Sequence, residues 1–364
     1  MKDQIYKIAL TKIPKVGNKI GRRLLDHFGS ASKVFSATKQ DLADVFGIGD
    51  QRVSFILSQK PIEMAAKELK YLEKSGARAL FVNDEGYPRR LKEIADPPLV
   101  VYTSGNVDLN NDKVIGIVGT RKPTSYGLSM CDFLLEDLKE YNPLIVSGLA
   151  FGIDACAHQN CLKLGIPTLG VVAHGLPNIY PARHKNLAKK MAKNGGLLTE
   201  FTHNIKAEKE FFPMRNRIIA GLCDAIVVVQ TADRGGSMIS AELANAYFKD
   251  VFAFPGRSGD HHSAGCNRLI KENKAQLIES GADLAFNLGW NEPRPIATQT
   301  ALFQTLTAKE QSVIAYLRDF EEANIDQLSM KCEMTNGEIS AVLLQLEFKG
   351  LVIPSPGKRF SLAR

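Results

Sequence analysis

The sequence predicts an α/β protein, a doubly wound parallel sheet flanked by a small N-terminal helical domain and a C-terminal winged-helix domain. Three observations predict it. Short β-branched runs alternate with amphipathic helical stretches between residues 114 and 255, the mark of a parallel sheet with helices on both faces. Two glycine turns, each leading into an apolar-faced helix, lie within the first 57 residues. Three helical stretches and a Pro-Gly turn close the chain. At 364 residues and 45% hydrophobic composition, the chain can build more than one core. The boundaries are placed at 1–65 for the helical domain, 66–290 for the extended sheet domain, 291–300 for a linker and 301–364 for the winged helix.

In IPKVGNKIGRRLLDHFGS (13–30), a turn at Val16-Gly17-Asn18 enters a helix whose Ile20, Leu24, Leu25 and Phe28 share one face. LADVFGIGDQRVSFIL (42–57) repeats the plan with Gly47-Ile48-Gly49. The two resemble tandem helix-hairpin-helix units, in which the glycine turn presents backbone N–H groups at a helix start, where the dipole favours phosphate. Lys15, Lys19, Arg22 and Arg23 supply charge around the first turn. The same glycines also serve a plain SAM-like helical bundle, and both readings stand.

Residues 79–109 form a strand-and-loop lead-in, with Pro88, Pro97 and Pro98 restricting helix. Strands then follow at VIGIVG (114–119), LIVSG (144–148), PTLGVVA (167–173), AIVVVQ (225–230) and VFAFP (251–255). Helices are expected near 125–140, 153–164, 185–194 and 238–249. Ligands of such sheets bind beyond the carboxyl ends of the strands, so function is sought in the residues just after each strand.

After Trp290, NEPRPIATQT reads as a linker. Residues 307–319, 324–332 and 336–349 read as three helices, and LVIPSPGKRFSL as a two-stranded wing about Pro356-Gly357. The third helix offers Glu338 and Glu347 to solvent, where a major-groove reader would carry Arg, Lys, Asn or Gln. That favours a protein-contacting or accessory role, while Lys358 and Arg359 in the wing argue the other way.

No stretch of about 18 apolar residues occurs, so no membrane span is expected. The opening MKDQIYKIAL lacks the apolar core of a secretory signal. Cys131, Cys156, Cys161, Cys223, Cys266 and Cys332 are scattered without a C-x-x-C pair, which points to reduced thiols in a cytoplasmic protein and away from structural zinc. The net charge of +7 is uneven, with 11 Lys/Arg against 5 Asp/Glu in residues 1–60. That bias suits a polyanionic partner or a solvated surface.

The strand ends are more specific. The first strand ends in Gly119-Thr120-Arg121. A dinucleotide site would carry G-x-G-x-x-G there and an acid after the second strand, but the third glycine is missing and the second strand ends in Ser147-Gly148. No G-x-x-x-x-G-K-[ST] occurs, which excludes a P-loop ATPase. Asp154 and His158 stand four residues apart on one helix face. They read either as an oriented general base or as a helix cap paired across one turn, and the lack of a nucleophile or metal set favours the second.

After the third strand, Tyr180, Arg183, His184 and Lys185 combine an aromatic with cations, which suits base stacking with phosphate pairing; a packed Tyr180-Pro181 turn is the alternative. In FFPMRNRIIAGL, Pro213 suits a helix start, which places Arg215 and Arg217, with Asn216 between, in a first turn where the dipole disfavours cations. A bound anion, or a salt bridge to Glu200 or Glu210, would offset that. Gly235, Gly236 and Ser237 then form an anion nest at a helix start. These loop tips suit phosphate and show no acid–base engine.

Taken in order, VGTRKPTSYG (118–127), SGLAFGIDACAH (147–158), GLPNIYP (175–181), FPMRNRIIAGL (212–222), DRGGSMISAELA (233–244), FPGR (254–257) and SAGCNRLI (263–270) resemble the DNA-processing protein A family, also called Smf. The resemblance covers roughly residues 80–285. It implies a Rossmann-like domain that binds single-stranded DNA and helps load the RecA recombinase in natural transformation. It also implies a cytoplasmic homodimer without enzymatic activity, nucleotide cofactor or metal. Arg121 matches the arginine of the family's VG[ST]R motif, an expected phosphate contact, and Arg215 and Arg217 fall in its FPxRNRII motif. Ala182 stands where the family carries a DNA-contacting lysine, which moves that expectation to Arg183 or Lys185. Thr120, Phe151 and Gly235 also depart from common family residues; Phe151 replaces a charge with a ring able to stack a base. Ile270 and Leu277 are the self-association candidates.

A second resemblance is to the glycine-rich signature of nucleotide phosphoribohydrolases, carried by RGGSMISAE, which would give Glu242 a catalytic part.

Overall fold

The computed structural model describes residues 2–58, 60–290, 306–320, 322–355 and 359–362. The chain divides into two compact units, residues 1–292 and 293–364.

The first unit opens with six helices: α1 (Lys2–Leu10), α2 (Asn18–Phe28), α3 (Ala31–Ser36), α4 (Lys39–Ala43), α5 (Asp50–Leu57) and α6 (Lys60–Ser75). Gly17 and Gly49 stand at the N-caps of α2 and α5, neither with a side-chain cap. Several turn cations are spent inside the motif. Arg52 donates to the carbonyls of Lys15 (2.9 Å) and Gly47 (2.6 Å), Arg23 to that of Phe46 (2.5 Å), and Lys15 to Gln51 (2.8 Å). These helices share one core with the sheet region: Leu24, Val34 and Ile56 belong with Leu91, Leu99 and Ile218. The junction is close-fitting. A Cβ on Gly21 would lie 2.3 Å from Leu99 Cδ1, and Lys7 pairs with Asp84 at 2.7 Å.

The sheet has nine strands: β1 (Arg78–Phe81), β2 (Val100–Asn106), β3 (Val114–Val118), β4 (Leu144–Ser147), β5 (Thr168–Val171), β6 (Gly195–Thr199), β7 (Ala225–Val228), β8 (Asp250–Ala253) and β9 (Gln276–Leu277). Their order is β1-β2-β6-β5-β4-β3-β7-β8-β9. From β6 to β9 all pairs are parallel, as the alternating sequence predicts; β1 and β2 add an antiparallel margin.

The strand β6 was not anticipated, because it begins Gly-Gly and lacks the β-branched signal. Its glycines are there for closeness. Added Cβ atoms at Gly195 and Gly196 would lie 1.9 Å from Thr168 O and 2.1 Å from Ser104 O, so only bare backbone lets β5 and β2 flank this strand.

The remaining helices of this unit are α7 (Arg89–Lys92), α8 (Ser125–Leu138), α9 (Ile153–Leu164), α10 (Lys185–Met191), α11 (Phe211–Leu222), α12 (Gly236–Ala246), α13 (Ala264–Lys271) and α14 (Gly281–Asn287). The pleat of β3 sorts its side chains between two layers. Ile115 and Ile117 join Leu134, Leu138 and Ile153 of α8 and α9. Val114 and Val118 join Ile218, Ile219 and Met238 of α11 and α12. The sheet is thus covered on both faces, and its strand ends are left to the loops.

The second unit holds α15 (Ala308–Phe320), β10 (Glu322–Asn324), α16 (Ile325–Cys332), α17 (Asn336–Phe348), β11 (Val352–Ser355) and β12 (Arg359–Leu362). The expected two-stranded wing is joined by β10, giving the order β10-β12-β11. Val313, Leu317, Leu328, Ile339 and Leu343 form its core. Glu338 completes a capping box with Thr335 and pairs with Lys309 at 2.7 Å, so its place on the helix is explained by helix initiation. The expected linker 291–300 and the wing residues Pro356, Gly357 and Lys358 lie outside the described residues.

Candidate functional site

Strand β3 pairs with β4 on one side and β7 on the other. The chain leaves β3 towards β4 and returns later on the other flank, so the loops part there and open a crevice at the strand ends. A cleft of about 320 Å³ occupies that switch point. Gly119, Thr120 and Arg121 enter it after β3, Asp154 after β4, Arg215 and Asn216 from α11, and Gly235, Gly236 and Ser237 at the start of α12. Eight of the expected DNA-contacting residues therefore come together. Tyr180 adjoins them, half exposed, with its ring edge-on to Phe212 at 5.9 Å. Arg183 and Lys185 are exposed and do not line the cleft.

The start of α12 faces this space with Gly235 at its N-cap and no side-chain cap, which leaves its first N–H groups to a ligand or water. Other donors are already committed. Thr120 N–H donates to the Gln230 carbonyl at 2.7 Å, and the Ser237 hydroxyl to Thr231 Oγ1 at 2.7 Å. Gly119 has no room for a side chain, because a Cβ would lie 2.5 Å from Ile153.

The two arginines of the FPMRNR stretch depart from expectation. Helix α11 starts at Phe211, two residues ahead of Pro213, so Arg215 and Arg217 lie in its second turn and not in the first. Burial, and not the dipole, is the cost they meet: their exposures are 4% and 8%. For Arg217 the salt-bridge alternative holds. Its guanidinium pairs with Glu200, donates to the Asp96 carbonyl at 2.5 Å and lies 3.8 Å from the Asp96 carboxylate. It does not line the cleft.

Arg215 stays with the cleft. Nη1 donates to the Val171 carbonyl at 2.7 Å, while the buried Nε has no hydrogen-bond partner. Burial lowers its pKa to about 10, with Asp154 opposing and Arg121 adding to the shift.

Asp154 and His158 do not form the expected pair. Asp154 Oδ2 accepts the N–H groups of Gly148 (3.1 Å) and Ala150 (3.3 Å). Burial pushes its pKa up and the charge of Arg215 pulls it back. The His158 ring instead bonds the Thr168 hydroxyl at 2.6 Å, and burial drops its pKa to about 3. A ring that stays neutral, out of reach of the cleft and tied to a threonine, is part of the core.

Two contributors were missed. Phe212 meets two guanidiniums, with Arg121 Cζ at 5.5 Å and Arg215 Cζ at 5.9 Å from its ring centre. Its signal was its place one residue before Pro213 in an otherwise basic turn. Gln230 ends the AIVVVQ run fully buried, accepting from Thr124 N–H at 3.0 Å and donating to Thr124 Oγ1 at 2.8 Å. A polar residue ending an apolar strand was the clue.

Glu242, the catalytic residue of the enzyme alternative, is exposed on α12 and does not line the cleft. Leu277 is 44% exposed on the outermost strand β9, whereas Ile270 packs against the core. Among the described residues, no helix is long and apolar enough to cross a membrane, and all six cysteines are free thiols.

The molecule is thus of the class that carries, in chain order, a helix-hairpin-helix bundle, a Rossmann-like α/β domain with a cleft at its switch point, and a winged helix. Residues 78–289 match the family described as DNA recombination-mediator protein A, 297–358 the DprA winged helix domain and 7–59 a SAM-like helix-hairpin-helix tandem. The chain belongs to the DNA-processing protein A family, DprA or Smf. Protein Smf of Synechocystis sp. is 32% identical, over 98% of each chain. The X-ray structure of DprA from Streptococcus pneumoniae superposes with a TM-score of 0.68 at 32% identity, covering 81% of this chain and 100% of that one. DprA from Helicobacter pylori, whose structure is described in terms of its single-stranded DNA binding mode, gives 0.54 at 31% identity, covering 59% and 96%.

Proposed function

We propose that this chain binds single-stranded DNA by its sugar-phosphate backbone at the crest cleft and serves DNA processing in natural transformation. In this reading it is a cytoplasmic homodimer that passes the strand to the RecA recombinase and catalyses no reaction. One observation carries the reading: a buried arginine with an unpartnered Nε and an uncapped helix start line the same open cleft. An arginine buried at 4% exposure is costly unless something completes its bonding, and a phosphate oxygen fits both donors and charge. The single-strand binding described for the Helicobacter pylori relative supports the same ligand. Aromatic rings at the rim, Tyr180 and Phe151, suit unpaired bases. Leu277, on a strand whose outer edge is unpaired, is the better of the two self-association candidates.

The phosphoribohydrolase reading is disfavoured because Glu242 stands outside the cleft. Ultraviolet crosslinking of a thymidine oligonucleotide, followed by peptide mapping, tests the proposal. Crosslinks should fall on Tyr180 and Phe151; crosslinks confined to residues 306–362 would reject the cleft.

A further inference from the structure

Helix α10 and the turn that follows it carry Lys185, Lys189, Lys190 and Lys193, with Arg183 just before; residues 182–194 contain no acid. Leu187, Ala188 and Met191 bury the inner face of this helix, which puts all four lysines in solvent. Among the described residues, none of the four makes an ion pair or a side-chain hydrogen bond, whereas Lys7, Lys274, Lys309 and Lys349 all have carboxylate partners.

The dipole favours Lys189 and Lys190 in the last turn, but it opposes Lys185 at the first position. Lys185 and Lys189 are also like charges four residues apart, which destabilises a helix by a few tenths of a kcal/mol. A helix with this pattern is suited to an external polyanion.

The helix is also fastened to the cleft. His184, its N-cap, hydrogen-bonds the Leu149 carbonyl at 2.9 Å, and its ring meets Phe151 edge-on at 5.0 Å. Tyr180, a few residues upstream, touches the cleft residue Phe212. Four residues of helix rise about 6 Å, so Lys185 and Lys189 present charges in a row leading from that rim.

We infer that α10 is a second backbone-binding surface, on which Lys189, Lys190 and Lys193 hold phosphates of the same single strand after it leaves the cleft. This rests on the single-strand reading above and adds the direction in which the strand runs. The site is then longer than the cleft, and short and long oligonucleotides use different parts of it.

The test uses the full chain with Lys189, Lys190 and Lys193 all changed to Gln, and thymidine oligonucleotides of about six and about twenty residues. A control of equal charge change replaces the exposed Lys67, Lys70 and Lys74 of α6 by Gln. Short-oligonucleotide affinity should be unchanged by the α10 variant. For the long one, the slope of log affinity against log salt should flatten by about 2, near 0.7 for each lost contact. An unchanged slope, or an equal loss in the control, overturns the inference while leaving the cleft intact. Failure of the unmodified protein to bind either oligonucleotide overturns the single-strand reading itself.

Discussion

The guanidinium of Arg121 rests on the ring of Phe212, its Cζ 5.5 Å from the ring centre. Arg215 approaches the same ring within 5.9 Å, so one aromatic side chain holds two cations at the cleft. The negative face of the ring softens their repulsion and orients Arg121 without neutralising it.

Phe212→Leu should therefore weaken single-strand binding about twofold to twelvefold, the range of a lost cation–π contact of roughly 0.5–1.5 kcal/mol. The salt slope should stay as it was, since the count of charges is unchanged. Fluorescence anisotropy at several salt concentrations reads both quantities. A flattened slope would mean that Phe212 does something other than place Arg121.

Arg121→Ala removes an exposed cation whose described contact is the Phe212 ring. Thermal stability should change little, and the salt slope should fall by about 0.7 on single strands of any sequence. Sequence-dependent loss would point to base reading in place of backbone contact.

Arg217→Ala should behave differently, although it lies two residues from Arg215. It strips the partner from Glu200, whose side chain is 10% exposed. Burial already pushes that carboxyl up and Arg217 pulls it down. Breaking such a pair from one side costs about 3–5 kcal/mol of stability. Urea unfolding should show the loss, while the folded fraction keeps its salt slope. A stable variant with reduced slope would return Arg217 to the DNA surface.

His158 sets an acid limit on stability. Burial lowers its folded pKa to about 3, below the ordinary value near 6.5, so between those pH values the unfolded chain binds a proton that the native state does not. Its stabilising contribution is whole above about pH 6.5 and falls as pH drops towards 3. From pH 7.5 to 5 the loss is about 2 kcal/mol. The fall in urea midpoint from pH 7.5 to 5 should be smaller in His158→Gln than in the unmodified protein; His174, which burial lowers in the same direction, adds to the fall in both, and Asp154 and Glu200, whose carboxyls burial raises, oppose it in both. An equally steep fall in the variant would place the titration elsewhere.

Much of the architecture was written in local patterns. The parallel strands β3, β4, β5, β7 and β8 were visible because their apolar, β-branched runs stand between turn signals, and α9 and α17 because their apolar spacing is helical. What escaped depended on partners distant in sequence. β6 begins with glycines whose purpose is set by Thr168 and Ser104 on neighbouring strands. The first turn of α11 was misplaced because Pro213 is equally at home at the third helical position, and two residues shifted both arginines from a dipole problem to a burial problem. The cleft itself was legible as a set of loop tips. Whether a given cation faces ligand or carboxylate was not, since Glu200 and Asp96 reach Arg217 only through the tertiary fold.

In the proposed function the cleft grips the backbone of an unpaired strand. The most direct measurement compares the affinity of the unmodified protein for single- and double-stranded oligonucleotides of one sequence, across a salt series, alongside Arg215→Gln. Preferential single-strand binding that falls steeply with salt, with a shallower slope in the variant, is the predicted result. Equal affinity for both forms, or a folded Arg215→Gln protein with an unchanged salt slope, would contradict it.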